Sequence, residues 1–497
     1  MIKLALPAGN LRKPVAAFLS EIGLEITGYA EASRSYRLPG NGLTARVFRE
    51  KDIPIQIALG NYDIGICGLA WIEEHLARYP QTGIVKLSGL GKTGSERLFV
   101  AAAKGAFEKL EALGNRWGMR IASEFANLAE VFALAARLPG YRILQVAGAA
   151  GAYPPEDAEL ALVAAQRAEE LRALGLEPVH ELLVSSPWII ANGESLRSND
   201  LAALLGPLLK GHREGKAPSL NLPTPLINGA RAQRIMARKT QERPLRLALP
   251  DGHQHPHVVG ALTDAGLEIT GYTDVQTPVR RPDSPLPGLE VKLIRPQDMP
   301  QMVAAGNFDI AITGRDCILE HLYRFPSSPI EIALDLKRSP VTMCAVVSAE
   351  LEAETLAEAL AIWKRSGRAI IRIASEFVSI ADQFARSNHF GRYQVIPTAG
   401  ASEGFVPEDA ELLIEGTETG KTLVENKLKP IAALFLSTTC VIVRKDPRMP
   451  AERRKTLERL LRTLEKAAPP GEPAAVTPIG LNPSAALSPS ARIEAGG

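Results

Sequence analysis

The sequence predicts an α/β protein of mainly parallel sheets with crossover helices, in which one enzyme-sized module is written twice. Three observations carry this. The chain has 497 residues, more than one ordinary core accommodates. Short apolar runs alternate with helical patterns along its length, the rhythm of strands joined by crossover helices. Several peptides also recur in the same order: GLEITGY at 23–29 and 266–272, GNYDIGICG at 60–68 and GNFDIAITG at 306–314, IASEF at 121–125 and 373–377, PEDAEL at 155–160 and 407–412. The spacing between partners lengthens by only a few residues, as small loop insertions produce. A repeat this long is a whole fold with its own core, not a solenoid unit.

Copy one is expected over 1–213, and a Pro-, Asn- and Arg-bearing linker over 214–243. Copy two then runs over 244–445, where LRLALP reads as strand, HVVGALTDAG as helix, VKLIR as strand, MPQMVAAG as helix and FDIAITG as strand. AIIRIAS, SIADQFARSN, YQVIPTA, AELLIEG and TLVENKL continue the alternation. AERRKTLERLLRTLEKA, after Pro450, predicts a C-terminal helix within 446–468, and the Pro-, Ala- and Ser-rich stretch 469–497 predicts a disordered tail.

Composition bounds the function. Hydrophobic residues are 46% and charged residues 23%, with a formal net charge of +2, so no global field favours nucleic acid or an anionic membrane. An anionic ligand must therefore be held locally. Cys67, Cys317, Cys344 and Cys440 form no CxxC pair and read as reduced thiols. The opening MIKLALPAG is already a strand pattern, and no apolar run approaches bilayer length. A cytoplasmic protein is expected.

The sharpest local signal is ELLIEGTETGKTLVENKL, 411–428. A strand ends in Glu415, and a small polar loop leads into a helix near Thr422. Gly420 allows close backbone approach, the threonines add hydroxyls, and the helix start offers unpaired N–H groups. Such a loop suits a phosphate monoester. A nucleotide-triphosphatase P-loop is a poorer match. Only Thr417, Glu418 and Thr419 separate Gly416 from Gly420, one residue short of the pattern. In copy one Val163 replaces Glu415, while Arg167, Ala168, Glu169 and Glu170 replace the Thr-Gly-Lys-Thr stretch. That stretch suits a continuous helix and predicts no phosphate site. Copy two likewise has TGRD at 313–316 and GASEG at 400–404 where copy one has CGLA and GAAGA.

IRPQDMP, GNFDIAITGRD, RIASEF, GASEG and EGTETGKTL together resemble ATP phosphoribosyltransferase, the first enzyme of histidine biosynthesis. The resemblance covers most of each copy and implies a two-lobed fold similar to type II periplasmic binding proteins, with the site in the cleft. It implies a magnesium-dependent transferase that binds ATP and phosphoribosyl pyrophosphate. That enzyme moves the phosphoribosyl group to N1 of ATP and releases pyrophosphate. Carried over, Glu418, Thr419, Gly420, Lys421 and Thr422 would cradle the 5-phosphate and Glu415 would hold the ribose hydroxyls. Glu403, Arg315 and Asp316 would line the cleft, and Arg295 matches an arginine that meets pyrophosphate, in some members across a dimer interface. Copy one keeps the corresponding Arg49, and Lys92 in GLGKTG, and is expected to pack on copy two as a built-in second protomer. The resemblance also implies a homo-oligomer or a synthetase-like regulatory subunit as partner. The family's usual Lys-Gly-Arg turn after ALP is Ala8-Gly9-Asn10 in copy one and Asp251-Gly252-His253 in copy two, both without those cations. The histidines of GHQHPH, 252–257, read as a solvated turn and not as a metal site. The alternative function is a non-catalytic ligand-binding or regulatory paralogue.

Overall fold

A computed structural model describes residues 2–24, 26–29, 36–39, 43–91, 94–107, 109–210, 218–226, 233–234, 243–272 and 279–468. Lys92 and the expected tail lie outside them.

Copy one folds into two lobes, each on its own sheet. Its strands are β1 (Ile2–Pro7), β2 (Arg37–Pro39), β3 (Leu43–Phe48), β4 (Ile64–Gly68), β5 (Ile84–Gly89), β6 (Glu96–Ala103), β7 (Arg116–Trp117), β8 (Arg120–Ser123), β9 (Arg142–Gln145), β10 (Leu160–Ala165), β11 (Leu176–Ser185) and β12 (Pro187–Asn192). The first lobe orders them β2-β3-β1-β4-β12-β5 and the second β11-β6-β10-β8-β9. β13 (Gln233–Arg234), in the linker, pairs with β7. Copy two repeats the plan with β14 (Leu245–Pro250), β15 (Leu289–Ile294), β16 (Ile310–Gly314), β17 (Ile330–Asp335), β18 (Val341–Ser348), β19 (Ile371–Ser375), β20 (Tyr393–Pro397), β21 (Leu412–Thr417), β22 (Leu428–Ser437) and β23 (Thr439–Arg444). Its sheets run β15-β14-β16-β23-β17 and β20-β19-β21-β18-β22.

The α/β class and the two two-lobed modules stand as expected. Within them the sheets are mixed, which corrects the expectation of mainly parallel ones. β14 pairs in parallel with β15 and β16, and β19 with β20 and β21. β23, however, re-enters the first lobe from the second and runs antiparallel to β16 and β17. β18 is antiparallel to both β21 and β22. A chain that crosses between lobes and returns has its direction set by the crossing, so the alternation of strand and helix does not fix the pairing sense. The central β4 and β16 are buried along their full lengths, as strands covered on both faces require.

The two copies share cores. Phe48 and Tyr62 of copy one pack with Phe405, Val406 and Leu413 of copy two, and Phe48 meets Phe405 edge-on at 5.0 Å. Reciprocally, Ala122 and Tyr153 of copy one pack with Ala248, Ile294 and Phe308 of copy two. The first lobe of each copy thus sits on the second lobe of the other. Charges follow the same pseudo-twofold pattern. Buried Arg46 reaches Gly404 O and Glu408, while buried Lys292 reaches Glu156 and Asp157 at 2.8 and 3.1 Å.

Within the linker Leu226 is buried, and its N–H donates to Ala136 O at 3.0 Å. One further expectation changes. The degenerate stretch of copy one is not a continuous helix but keeps strand β10, a two-residue bend and the helix Ala168–Ala173. β10 is hydrogen-bonded on both sides, to β6 and β8, and that pairing overrides local helix propensity. The C-terminal helix Ala451–Glu465 packs Leu460 and Leu464 into the first-lobe core of copy two.

Candidate functional site

The cleft of copy two is built from strand ends, where parallel α/β strands present ligands. β16 stops at Gly314, and the helix Arg315–Arg324 begins there with Asp316 in its first turn. Glu376 follows β19, Glu403 lies in the turn Ser402–Phe405, and Glu415 lies on β21. Asp316 is fixed by local hydrogen bonds. Its N–H donates to Ser437 Oγ at 3.0 Å, and its carboxylate accepts the Cys317 N–H at 2.7 Å. Only a glycine leaves room for this arrangement at position 314, because a Cβ there would collide with Asp316 Oδ1 and lie 2.7 Å from Gln254 Nε2. Gln254 Oε1 is buried beside it with no hydrogen-bond partner among the described residues.

The loop after β21 bends through Gly420, which is left-handed at φ 70°, into a helix of only five residues, Lys421–Glu425. Thr417 Oγ1 accepts the Gly420 N–H at 2.9 Å, and Thr419 Oγ1 lies 3.4 Å from the Lys421 nitrogen. Lys421, Glu418 and Thr419 are exposed. With so short a helix, the loop's amides and hydroxyls, more than a helix dipole, are what an anion would meet.

Electrostatics mark this cleft. Burial raises the carboxyls of Asp316, Glu376 and Glu403, and repulsion adds to it, from Asp316 at Glu376 and from Glu376 at Glu403. Burial, with Glu403 and Glu376 nearby, raises Glu415 well above the usual range. The opposing positive charge comes from copy one. Lys51 and Arg49 act on Glu376, and Arg49 acts on Glu403. A Cβ on Gly400 would lie 2.9 Å from Arg49 Nε and 2.8 Å from Glu376 Oε1, so glycine is what admits the arginine. Asp52 anchors the segment by accepting the Ala399 N–H at 2.9 Å.

Not every sequence-derived residue gathers here. Arg295 crosses the other way: a Cβ on Gly148 of copy one would lie 2.5 Å from Arg295 Nε. Its guanidinium also pairs with Asp251 at 3.0 Å. The pseudo-twofold packing of lobes is the reason, since each copy's arginine reaches the opposite copy. Arg315 is buried and paired with Asp335 at 2.8 Å, within its own lobe. Asp316, Glu403 and Glu415 do gather around Glu376, and the Glu418–Thr422 loop follows the strand that carries Glu415. Sequence pattern does not single out Glu376 or Lys51, although Glu376 stands inside the repeated IASEF. The equivalent cleft of copy one is about 200 Å³ and lined in part by Ala150, Val163 and Leu171, with Glu170 and Arg280.

The fold and site define a class: a two-lobed α/β module with a Thr-Gly-Lys-Thr loop after a cleft strand, duplicated so that the first lobe of each copy packs on the second lobe of the other. The chain belongs to the HisG family, ATP phosphoribosyltransferase, whose family model matches residues 49–210 and 295–466. An ATP phosphoribosyltransferase of Pelotomaculum thermopropionicum is 30% identical over 228 residues, covering 45% of this chain and 72% of that protein. One from Chelativorans is 26% identical over 227 residues, covering 42% of this chain and 96% of the relative. Among solved structures, the ATP phosphoribosyl transferase (HisG:HisZ) complex from Thermotoga maritima is similar at 23% identity and a TM-score of 0.36, over 42% of this chain and 96% of that one. No helix among the described residues is long and apolar enough to cross a membrane.

Proposed function

We propose that copy two transfers the phosphoribosyl group of phosphoribosyl pyrophosphate to N1 of ATP, while copy one supplies cations to the cleft and performs no transfer. The observation that carries this is the meeting of Arg49 with Glu376 and Glu403, and of Lys51 with Glu376, next to Glu415 on the strand that leads into the Glu418–Thr422 loop.

In this reading the Thr419–Thr422 segment binds the 5-phosphate through loop N–H groups and hydroxyls. Glu415 and Glu403 hold the ribose hydroxyls by hydrogen bonding. The N1 lone pair forms the new bond to the anomeric carbon as the carbon–oxygen bond to pyrophosphate breaks, and the electron pair leaves with pyrophosphate. The nucleophile is a ring nitrogen, so no activated Ser or Cys is needed. Arg49 and Lys51 would neutralise that leaving group. Mg²⁺, the expected cofactor, suits an oxygen-only donor set, and Glu376 and Glu403 would hold it together with substrate oxygens. It would supply charge neutralisation. Asp298, buried in the companion contact, accepts the Ala147 N–H at 2.9 Å and anchors the reverse exchange.

One observation favours a non-catalytic binding role instead. The turn after β14 places the carboxylate of Asp251 where the resemblance expects a lysine, and it takes up Arg280 and Arg295 at 2.6 and 3.0 Å. The deciding experiment is incubation of pure protein with ATP, phosphoribosyl pyrophosphate and Mg²⁺, with and without a synthetase-like subunit, following product absorbance. Turnover supports transfer. Its absence in both settings, with ligand still bound, supports the binding role.

A further inference from the structure

Among the described residues, one cluster has metal-ligating composition: His253, His257 and Glu418, whose ligand atoms all lie within 4.8 Å of one another. The run GHQHPH forms a short turn, Gly252–Gln254, and the start of the helix His255–Asp264. The three histidines separate by role. His255 is buried, and its Nε2 donates to Tyr272 O at 2.6 Å. His253 and His257, four residues apart, lie side by side with ring centroids 5.9 Å apart. Opposite them stands Glu418, from the other lobe of copy two, with its Oε1 3.8 Å from His253 Nε2.

We propose that His253, His257 and Glu418 form a binding site for a zinc-class divalent cation that bridges the two lobes of copy two at the anion loop. Zinc bonds of about 2.0–2.1 Å at tetrahedral angles place ligands roughly 3.4 Å apart. The observed 3.8 Å between His253 and Glu418, both exposed, needs only a small side-chain rotation. Two imidazoles and one carboxylate match borderline-soft cations better than Mg²⁺. Three protein ligands leave a coordination position open, one residue from the Thr419–Thr422 loop. The cation would bring to that loop the positive charge that the Asp251-Gly252-His253 turn lacks. This last consequence rests on the proposed phosphate role of the loop, whereas the metal site itself does not.

The test uses tag-free, EDTA-treated full-length protein titrated calorimetrically with zinc chloride. One zinc per chain is expected, weakened at least about tenfold in His253→Ala and in His257→Ala, with folding checked by circular dichroism. Hydrogen exchange of the peptide spanning 416–423 should slow with zinc in the parent and stay unchanged in His257→Ala. Absence of zinc binding, or binding indifferent to both histidines, overturns the site. Histidine-dependent binding without protection of 416–423 overturns the bridge through Glu418. Failure of turnover with zinc binding intact would count against the transferase reading alone.

Discussion

Asp52 of copy one accepts the backbone N–H of Ala399 in copy two at 2.9 Å, and Asp298 of copy two accepts that of Ala147 in copy one at the same distance. These paired contacts hold each copy's arginine-bearing segment against the other copy's second lobe. They also bury two carboxyls where hydrogen bonding only partly replaces water.

A pH dependence follows. Burial pushes Asp52 and Asp298 up to about 7, and the Ala399 and Ala147 N–H groups pull in the opposite direction. In the unfolded chain an aspartate titrates at about 3.9. Between that value and about 7 the folded protein keeps protons that the unfolded chain has released, so stability falls as pH rises through this window. Glu156 runs the other way: burial alone would raise it, but Arg281 and Lys292 bring it down to about 2, so its contribution is lost only in stronger acid. The melting temperature should therefore be higher near pH ~5.5 than near pH ~8, with Asp52→Asn plus Asp298→Asn reducing the difference. Calorimetric scans across that range check it, and a melting temperature that rises with pH would contradict the assignment.

The crossed arginines predict an asymmetric mutational response. Arg49→Ala should lower turnover by roughly 10²–10³-fold, the usual cost of losing a preorganised charge partner. Arg295→Ala, which removes a side chain from the copy-one cleft, should leave turnover close to the parent. Gly400→Ala should resemble Arg49→Ala, since its Cβ would collide with Arg49 and its φ of 105° disfavours a side chain. Steady-state kinetics of the three proteins separate these outcomes. Equal losses from Arg49→Ala and Arg295→Ala would refute the division of labour.

The anion loop should depend on Gly420. Its left-handed φ of 70° costs a residue with a Cβ roughly 1–2 kcal/mol. Gly420→Ala should weaken phosphoribosyl pyrophosphate binding more than it lowers the melting temperature. Binding calorimetry beside thermal unfolding reads both, and unchanged affinity would remove the loop from the phosphate site.

The cross-copy charge network should be sensitive to the loss of a single partner. Asp157 accepts from the two terminal Arg246 guanidinium nitrogens, at 2.7 and 2.8 Å, together with Lys292 at 3.1 Å and Asn307 at 2.9 Å. Asp157→Ala deprives two buried cations of their most buried partner and should cost about 3–5 kcal/mol. Denaturant unfolding measures it, and a change of only a few tenths would show the network to be dispensable.

The duplication, the strand and helix order within each copy, and the loop at Glu418–Thr422 are legible from local pattern, because hydrophobic period and small-residue loops are written in neighbouring positions. The erased copy-one loop is legible too, since Val163 stands where Glu415 does. Its shape is not: ELALVAAQRAEEL has the composition of a helix, and only pairing with β6 and β8 keeps β10 extended. Pairing sense also escapes local reading, because β12 and β23 take their direction from chain crossings between lobes.

The site divides in the same way. The sequence alone determines that Glu403, Glu415 and the Glu418–Thr422 loop stand at strand ends in one copy. Which arginine faces them is decided only by tertiary structure. Arg49 and Arg295 occupy equivalent places in the repeat, and nothing local distinguishes their targets. The exchange of lobes, driven by shared apolar cores that hold Phe48 with Phe405 and Tyr153 with Phe308, sends Arg49 to Gly400 and Arg295 to Gly148. Burial is a property of the whole packed chain, so the assignment of charge to cleft is made only there.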